Sequence, residues 1–131
     1  SEARSVEVKY LLESMSTGTH CLTTLHTDDV RKIPDRIKNM MPTINEQTEN
    51  DIYSFINVGI QVRSYIMDEG IQRKIAQIAL FSRDLMTGKN TMTMLYNEGA
   101  YGDDPFPDEI LWKFAAAGTD PRENYPGVLT R

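Results

Sequence analysis

The sequence predicts an α/β protein in which a helix–strand–helix start is followed by a three-stranded antiparallel sheet. Apolar residues recur at helical spacing near the start, and the spacing changes to two after residue 56. Short turns rich in Gly, Asp and Asn then separate the later strands, which favours an antiparallel meander. The chain has 131 residues, which suits one domain with one modest core.

The composition is close to the average for globular proteins, with 40% apolar and 25% charged residues. The net charge of −5 argues against a direct nucleic-acid binder, since such domains carry a basic excess. A lone Cys21 excludes an internal disulfide and fits a reducing cytoplasm. The chain begins with Ser1 rather than Met, and a helical pattern follows almost at once, so we expect it to be cut from a longer polypeptide.

The first predicted element is a helix over residues 5–16. Its apolar residues share one face at helical spacing: Val8, Leu11, Leu12 and Met15. We expect Gly18 to end this helix, because glycine readily adopts the left-handed conformation found just past a helix. Residues 20–26 are uncharged apart from two histidines and rich in Thr and Leu, so we interpret them as a buried strand.

A second helix is predicted after an N-terminal cap at residues 27–29, which supply a hydroxyl and two carboxylates. Its inner face is expected to carry Val30, Ile33, Ile37 and Met40 or Met41. Pro34 is tolerated only in the first turn of a helix, so the regular helix is expected to start near Ile33. Pro42 closes it, and a weaker helix is predicted from Asn45 to Phe55.

From Ile56 the apolar period is two, which indicates a strand. One face carries Ile56, Val58, Ile60 and Val62, and the other carries Asn57, Gln61 and Arg63. Turns at residues 68–70 and 87–90 separate it from two further strands, predicted at 71–82 and 91–97. Residues 98–106 are predicted as a loop and residues 107–117 as a short helix. The remainder is predicted to lack regular secondary structure.

Three short motifs follow one another between residues 2 and 27. They are Glu2-Ala3-Arg4-Ser5-Val6-Glu7, then Thr17-Gly18-Thr19-His20, then Thr24-Leu25-His26-Thr27. Their order and spacing resemble those of the type II and type IV secretion ATPases, the superfamily that powers secretion, conjugation and pilus assembly. Further similarity lies in residues 35–40, 56–63 and 70–75, so the resemblance covers about residues 1–80.

The resemblance implies the C-terminal part of a RecA-like P-loop NTPase domain, followed by the β-meander and a terminal helix. Residues 1–131 would then form a single partial domain. Glu2 matches the glutamate that acts on the attacking water, and His26 matches a histidine that approaches the γ-phosphate of ATP. Arg4, Glu7 and His20 would support the nucleotide site.

Two departures from the family pattern affect this transfer of roles. Ser1 stands where the family has glycine, and the first histidine of the His box falls on Thr19, with His20 one place later. The phosphate-binding loop Gly-x-x-x-x-Gly-Lys-Ser/Thr is also missing. Residues 88–91 superficially resemble its end, but no first glycine precedes them and no helix pattern follows, so a hairpin turn is predicted. We therefore expect this chain by itself to be inactive.

In the intact protein, the resemblance implies ATP with Mg²⁺ as the nucleotide complex and a homo-oligomer, expected to be a hexamer. It also implies a cytoplasmic location at the inner face of the cell membrane, with secretion or pilus machinery proteins as partners.

Arg63, Arg73 and Lys74 could reach a neighbouring subunit's nucleotide or form a solvated sheet face. The alternative function is a non-catalytic adaptor or regulatory module that retains the shape of the motor.

Two further expectations concern residues 20–26. A zinc site formed by His20, Cys21 and His26 is disfavoured, because Cys21 would point to the opposite strand face and no fourth ligand is apparent. The predicted strand would lack both neighbouring strands of a RecA-like sheet. We therefore predict that the chain self-associates through its unpaired edges.

Overall fold

The computed structural model describes residues 5–41 and 45–124, with the side chains of Ser5, Val6, Arg122 and Asn124 excepted. The fold is α/β: helices combine with one antiparallel sheet. The helices are α1 (Ser5–Ser16), α2 (Ile33–Asn39), α3 (Glu46–Phe55), α4 (Asp108–Ala116) and α5 (Pro121–Asn124), with a 3₁₀ turn at Val30–Lys32. The strands are β1 (Val58–Met67), β2 (Gly70–Arg83), β3 (Asn90–Asn97) and β4 (Ala100–Tyr101).

Helix α1 confirms the first predicted element. Val8 and Leu12 are buried in the core, and Met15 packs against them. The helix ends at Ser16, and Gly18 follows in the expected left-handed conformation, with a φ of 94° that is strained for any residue with a side chain. The amide of Gly18 donates to the carbonyl of Met15 over 3.1 Å, which satisfies one of the last carbonyls of the helix.

The strand predicted at residues 20–26 is wrong. Residues 19–27 have no regular structure apart from a single bridge at Thr24. Leu22 is 96% exposed, so it contributes nothing to a core. A segment rich in Thr and Leu becomes a strand only when a neighbouring strand pairs with its backbone. The strands β1–β4 pair with one another, and this segment is not a strand of their sheet.

The second helical region follows the prediction closely. Asp29 caps the 3₁₀ turn by accepting from the amide of Arg31 over 2.8 Å. The α-helix then starts at Ile33 with Pro34 in its first turn, as expected. Val30, Ile33 and Ile37 are buried.

Helix α3 also confirms its prediction, and its start is well capped. The side chain of Asn45 accepts from the amide of Thr48 over 2.9 Å, and the Thr48 hydroxyl accepts from the amide of Asn45. Ile52 is fully buried, and the amide of Ile56 donates back to its carbonyl over 2.8 Å as the helix ends. None of these described helices has both the length and the apolar character that a bilayer crossing requires.

The sheet has four strands in the order β1-β2-β3-β4, all antiparallel, rather than the predicted three. The fourth strand lies inside the segment that was predicted as loop. A tight turn at Glu98 and Gly99, both with positive φ, brings Ala100 back against Asn97. Helix α5 likewise lies in the part of the chain that was predicted as loose.

The main core lies between one face of the sheet and helices α1, α2 and α3. Phe81 and Ala79 of β2 are fully buried there, and Phe81 makes an edge-to-face contact with Tyr53 at 6.0 Å between ring centres. Gly59 of β1 faces the same core. A β-carbon there would lie 2.6 Å from the Cδ1 atom of Ile33, so the helix packs directly on the strand backbone.

The apolar face of β1 points away from this core. Val58, Ile60 and Val62 are 52%, 54% and 57% exposed, whereas Gln61, on the face with polar residues, is buried. Helix α4 contacts β2 and leaves these three residues uncovered. We call Val58, Ile60 and Val62 the exposed β1 face. The alternation that predicted the strand therefore indicated its length but not which side the helices cover.

Candidate functional site

An open groove of about 1180 Å³ runs along β1 and collects the candidate histidines. One wall is the irregular segment 18–27, and the other is formed by residues 54–62. Ile33 and Ile37 of α2 contribute apolar surface, and the end of α4 closes one side. His20 and His26 both line this groove, and both are exposed.

The irregular segment is fixed at its two ends by hydrogen bonds. At its start the amide of Thr19 donates to the carbonyl of Ser14 over 3.2 Å. At its end the side-chain amide of Gln61 donates to the carbonyl of Thr27 over 3.2 Å, and Arg63 donates to the carbonyl of Asp28 over 3.0 Å. These contacts hold the two histidines beside β1 without a strand ladder.

The other candidate residues are not brought together with the histidines. Glu7 lies on the exposed side of α1 and is not among the described residues that line the groove. Glu2 and Arg4 lie outside the described residues. Of the five candidates, the structure therefore brings together His20 and His26.

Gln61 is a groove residue that the sequence did not single out. It is only 8% exposed, and its Oε1 atom has no hydrogen-bond partner among the described residues. An unsatisfied buried carbonyl costs about 1–3 kcal/mol, so this oxygen is a ready acceptor for a donor that enters the groove. The sequence placed Gln61 on the face opposite the apolar residues of β1, and nothing in that pattern indicated its burial.

A polar network at Asp29 fixes the region where the groove ends and α2 begins. Hydrogen bonding from Arg31, whose Nη2 lies 2.6 Å from Oδ2, holds the pKa of the Asp29 carboxyl well below its usual range. Gln77 of β2 accepts from the amide of Val30 over 2.9 Å and donates to Asn97 over 3.1 Å. The network ties the 3₁₀ turn to the sheet and is structural, since it offers no free nucleophile or base.

The basic residues proposed to face a neighbour lie on the β1–β2 hairpin. Arg63 forms an ion pair with Glu98, so its charge is already compensated. Lys74 lies over the ring of Tyr65, with 6.0 Å from Nζ to the ring centre, and Arg73 is exposed. The exposed positions of Arg73 and Lys74 suit both interpretations, a solvated face and contact with a partner.

The turn at residues 84–90 has the hairpin geometry that was predicted. Gly88 has a φ of 72°, and strand β3, not a helix, follows. The carboxylate of Asp84 accepts from the amides of Met86 and Thr87 over 2.8 and 3.2 Å, and the amide of Gly88 donates to the carbonyl of Asp84. Because these N–H groups are already used, the turn does not form a phosphate cradle.

Within residues 5–41 and 45–124, no group of three His, Cys, Asp or Glu side chains has the geometry to hold a metal ion. Cys21, the third residue of the disfavoured zinc site, is exposed as a free thiol. His20 and His26 therefore share a groove without forming a described metal site.

No protein-family model, curated protein or solved structure matches this chain. What the chain does is therefore inferred from its motifs and from the geometry of the groove.

Proposed function

We propose that this chain is the C-terminal part of an ATPase motor domain of the type II and type IV secretion superfamily. In the intact protein, ATP hydrolysis would drive the transport of macromolecules or the assembly of pili. The observation that carries this proposal is the ordered spacing of the Glu-x-Arg-x-x-Glu, Thr-Gly-x-His and Thr-Leu-His motifs within the first 27 residues. The shared groove of His20 and His26 supports it, because these are the two His-box candidates.

Each proposed role follows from the chemistry of phosphoryl transfer. A carboxylate at Glu2 would orient and polarise the attacking water, and an imidazole at His26 would approach the γ-phosphate and respond to its presence. Arg4, Glu7 and His20 would adjust the charge around the nucleotide. Mg²⁺ bound with ATP would neutralise charge on the phosphates.

The exposed β1 face supports the idea that further chain covers this part of the sheet. The outer edge of β1 pairs with no other strand of the described sheet, and three apolar side chains beside it are more than half exposed. In a RecA-like domain, additional strands would pair with the open edge of β1 and would also give residues 20–26 a neighbour, and helices packed on the sheet would cover such a face.

The assembly and location belong to the same proposal. The intact protein would act as a homo-oligomer, expected to be a hexamer, at the cytoplasmic side of the inner membrane. Its partners would be components of a secretion or pilus machinery. Arg73 and Lys74, exposed on the β1–β2 hairpin, are the residues available to approach the nucleotide of an adjacent subunit.

A non-catalytic adaptor or regulatory module is the second candidate. The two departures from the family pattern at Ser1 and Thr19 favour it. The gene distinguishes the two candidates. If the motor proposal is right, the reading frame upstream of Ser1 encodes Gly-x-x-x-x-Gly-Lys-Ser/Thr within about 60–80 residues. A start codon directly before Ser1 would favour the adaptor.

A direct test measures ATP hydrolysis by the full-length polypeptide that the gene encodes, alongside this chain alone. We expect turnover from the first, and neither turnover nor tight ATP binding from the second, because the backbone cradle for phosphates is missing. Calorimetry that gave micromolar ATP affinity for residues 1–131 would overturn the assignment of this chain as an inactive part.

A further inference from the structure

We propose that a second pocket, between the end of β2 and helix α4, binds a small monocarboxylate with an apolar body. We call it the Trp112 pocket; its main lining residues are Arg83, Leu85, Glu109, Ile110, Trp112 and Lys113. It adjoins the histidine groove, with which it shares Ser54, Asn57, Lys113 and Ala116, whereas Arg83, Leu85 and Trp112 line this pocket and not the groove. The inference does not depend on the proposed ATPase function. Three properties support it: the size of the pocket, two cations without an anionic partner among the described residues, and an exposed apolar rim.

The pocket has a volume of about 310 Å³. Ligand pockets span about 300–1,000 Å³, so this one suits a ligand smaller than a nucleotide. Helix α4 forms one wall, and the last residues of β2 form the other. Most of the lining lies on α3, β2 and α4, and Asn57 and Leu85 complete it from the adjoining loops.

Arg83 is held rigidly at the end of β2 by two amide side chains. Its Nη1 atom donates to Asn50 over 2.8 Å and to Asn90 over 2.9 Å, and Asn90 in turn donates to Asn50 over 3.0 Å. Both acceptors are neutral, so the guanidinium keeps its full charge. A guanidinium has five N–H groups, and these bonds leave donors available for an anion.

Lys113 is the second cation of the pocket. Its Nζ atom donates to the side-chain oxygen of Asn57 over 2.8 Å, which again is a neutral acceptor. Partial burial lowers the pKa of this ammonium, because removing water disfavours the charged form. An anion placed beside Lys113 would relieve this unfavourable burial.

The charge balance of the pocket favours a ligand with one negative charge. Neither Arg83 nor Lys113 forms an ion pair with any described carboxylate. Glu109 is the acidic residue of the lining, and it accepts from the amide of Leu85 over 3.4 Å. With two cations and one carboxylate, the lining carries one uncompensated positive charge, which a single carboxylate neutralises.

The rim of the pocket explains why the ligand should also have an apolar body. Trp112 is 56% exposed and Leu85 is 75% exposed, although both are large apolar side chains beside a cavity. A ring or branched alkyl group on the carboxylate would cover them and remove apolar surface from water. A bare anion such as acetate would use the charge and leave this surface exposed.

The experiment uses the intrinsic fluorescence of Trp112, which is the only tryptophan of the chain. Titration with 3-phenylpropionate is expected to change this fluorescence with saturation. The neutral probe 3-phenylpropionamide should bind at least tenfold more weakly, and acetate should bind more weakly than 3-phenylpropionate. Equal affinity for the acid and its amide, or no saturable change with the acid, would overturn the proposal.

The fluorescence signal places the ligand beside Trp112, which lines this pocket and not the groove, and substitutions test the part that Lys113 takes in the binding. Lys113→Gln should weaken 3-phenylpropionate binding at least tenfold, while Lys113→Arg keeps the preference for the acid over the amide. The matched control Lys74→Gln removes a lysine from the β1–β2 hairpin and should change nothing. If Lys113→Gln binds the acid as well as the wild type does, the site is not the one proposed. If that variant does not fold, the comparison of acid with amide in the wild type still decides.

Discussion

The carboxylate of Asp29 joins the 3₁₀ turn to strand β2 through three contacts. It caps the 3₁₀ turn at the amide of Arg31, pairs with the guanidinium of the same residue, and accepts from Gln77 of β2 over 3.4 Å. Removing it breaks a cap and leaves Arg31 without its anion. Losing an N-terminal cap costs about 0.5–2 kcal/mol.

We therefore expect Asp29→Ala to lower the free energy of unfolding by about 1–2 kcal/mol at neutral pH, measured by urea denaturation. Asp29→Asn should cost less, because asparagine still caps a helix start. An Asp29→Ala protein within about 0.3 kcal/mol of the wild type would show that the network adds no stability.

The pH dependence of this effect follows from the direction of the pKa shift. The folded state lowers the pKa of Asp29, so the unfolded state takes up a proton first as the pH falls. The contribution of the carboxylate to the free energy of unfolding is fully present above the ordinary aspartate pKa of about 3.9, and it is lost as the pH falls below that value. The stability difference between the wild type and Asp29→Ala should therefore shrink below about pH 4.

At the scale of one element, the alternation of residues in β1 predicts the strand but does not predict which of its two faces the helices bury. Its alternation of apolar and polar residues predicts a strand with two different faces. The core helices pack on the face with Gly59 and Gln61, because Gly59 permits close contact with Ile33. Ile60, on the apolar face, stays 54% exposed.

A matched pair of isoleucines tests this arrangement. Ile52→Ala removes a side chain that is fully buried, and should cost about 2–5 kcal/mol. Ile60→Ala removes the same atoms from the exposed β1 face and should cost less than about 1 kcal/mol. Urea denaturation at low protein concentration measures both; a cost for Ile60→Ala equal to that for Ile52→Ala would mean that the opposite face is buried.

The helices were predictable because their signals are local. The apolar stripe of α1, the cap at Asp29, the position of Pro34 and the cap at Asn45 each lie within a few residues of the helix they define. Whether residues 20–26 form a strand depends on neighbouring strands that are distant in the sequence. The short hairpin at Glu98 depends on two residues with positive φ. Such signals are weak in a single sequence, so β4 was missed.

The candidate site was predictable only in part, for a similar reason. The motif spacing pointed to His20 and His26, and the structure brings both into one groove. The buried Gln61 and the Trp112 pocket arise from packing between distant segments, which no local pattern reveals.

At the scale of the whole molecule, the exposed β1 face favours association between copies. Self-association is untested and stays a prediction, and its structural reason changes, since residues 20–26 form no strand with open edges. The described sheet instead ends at β1, a ten-residue edge strand with apolar side chains on its open face. Long apolar edge strands are templates for pairing with another chain.

We expect sedimentation to show dimers or larger species at tens of micromolar. Ile60→Lys should shift the chain toward monomer, because a charge at an edge strand opposes pairing. Leu22→Lys is the matched control in the irregular segment, where Leu22 is 96% exposed, and should have little effect. A wild-type chain that sediments as a clean monomer, or a stronger effect from Leu22→Lys, would contradict this assignment of the interface.

The most direct test of the proposed function is the ATP turnover of Glu2→Gln in the full-length polypeptide. Glutamine keeps the shape of the side chain but cannot polarise water as a carboxylate does, so turnover should be abolished while ATP binding stays nearly intact. His26→Ala should slow hydrolysis less completely, since it responds to the phosphate and does not activate water. If Glu2→Gln kept more than about a tenth of the wild-type rate, a loss below about 1.4 kcal/mol, the catalytic assignment would be wrong.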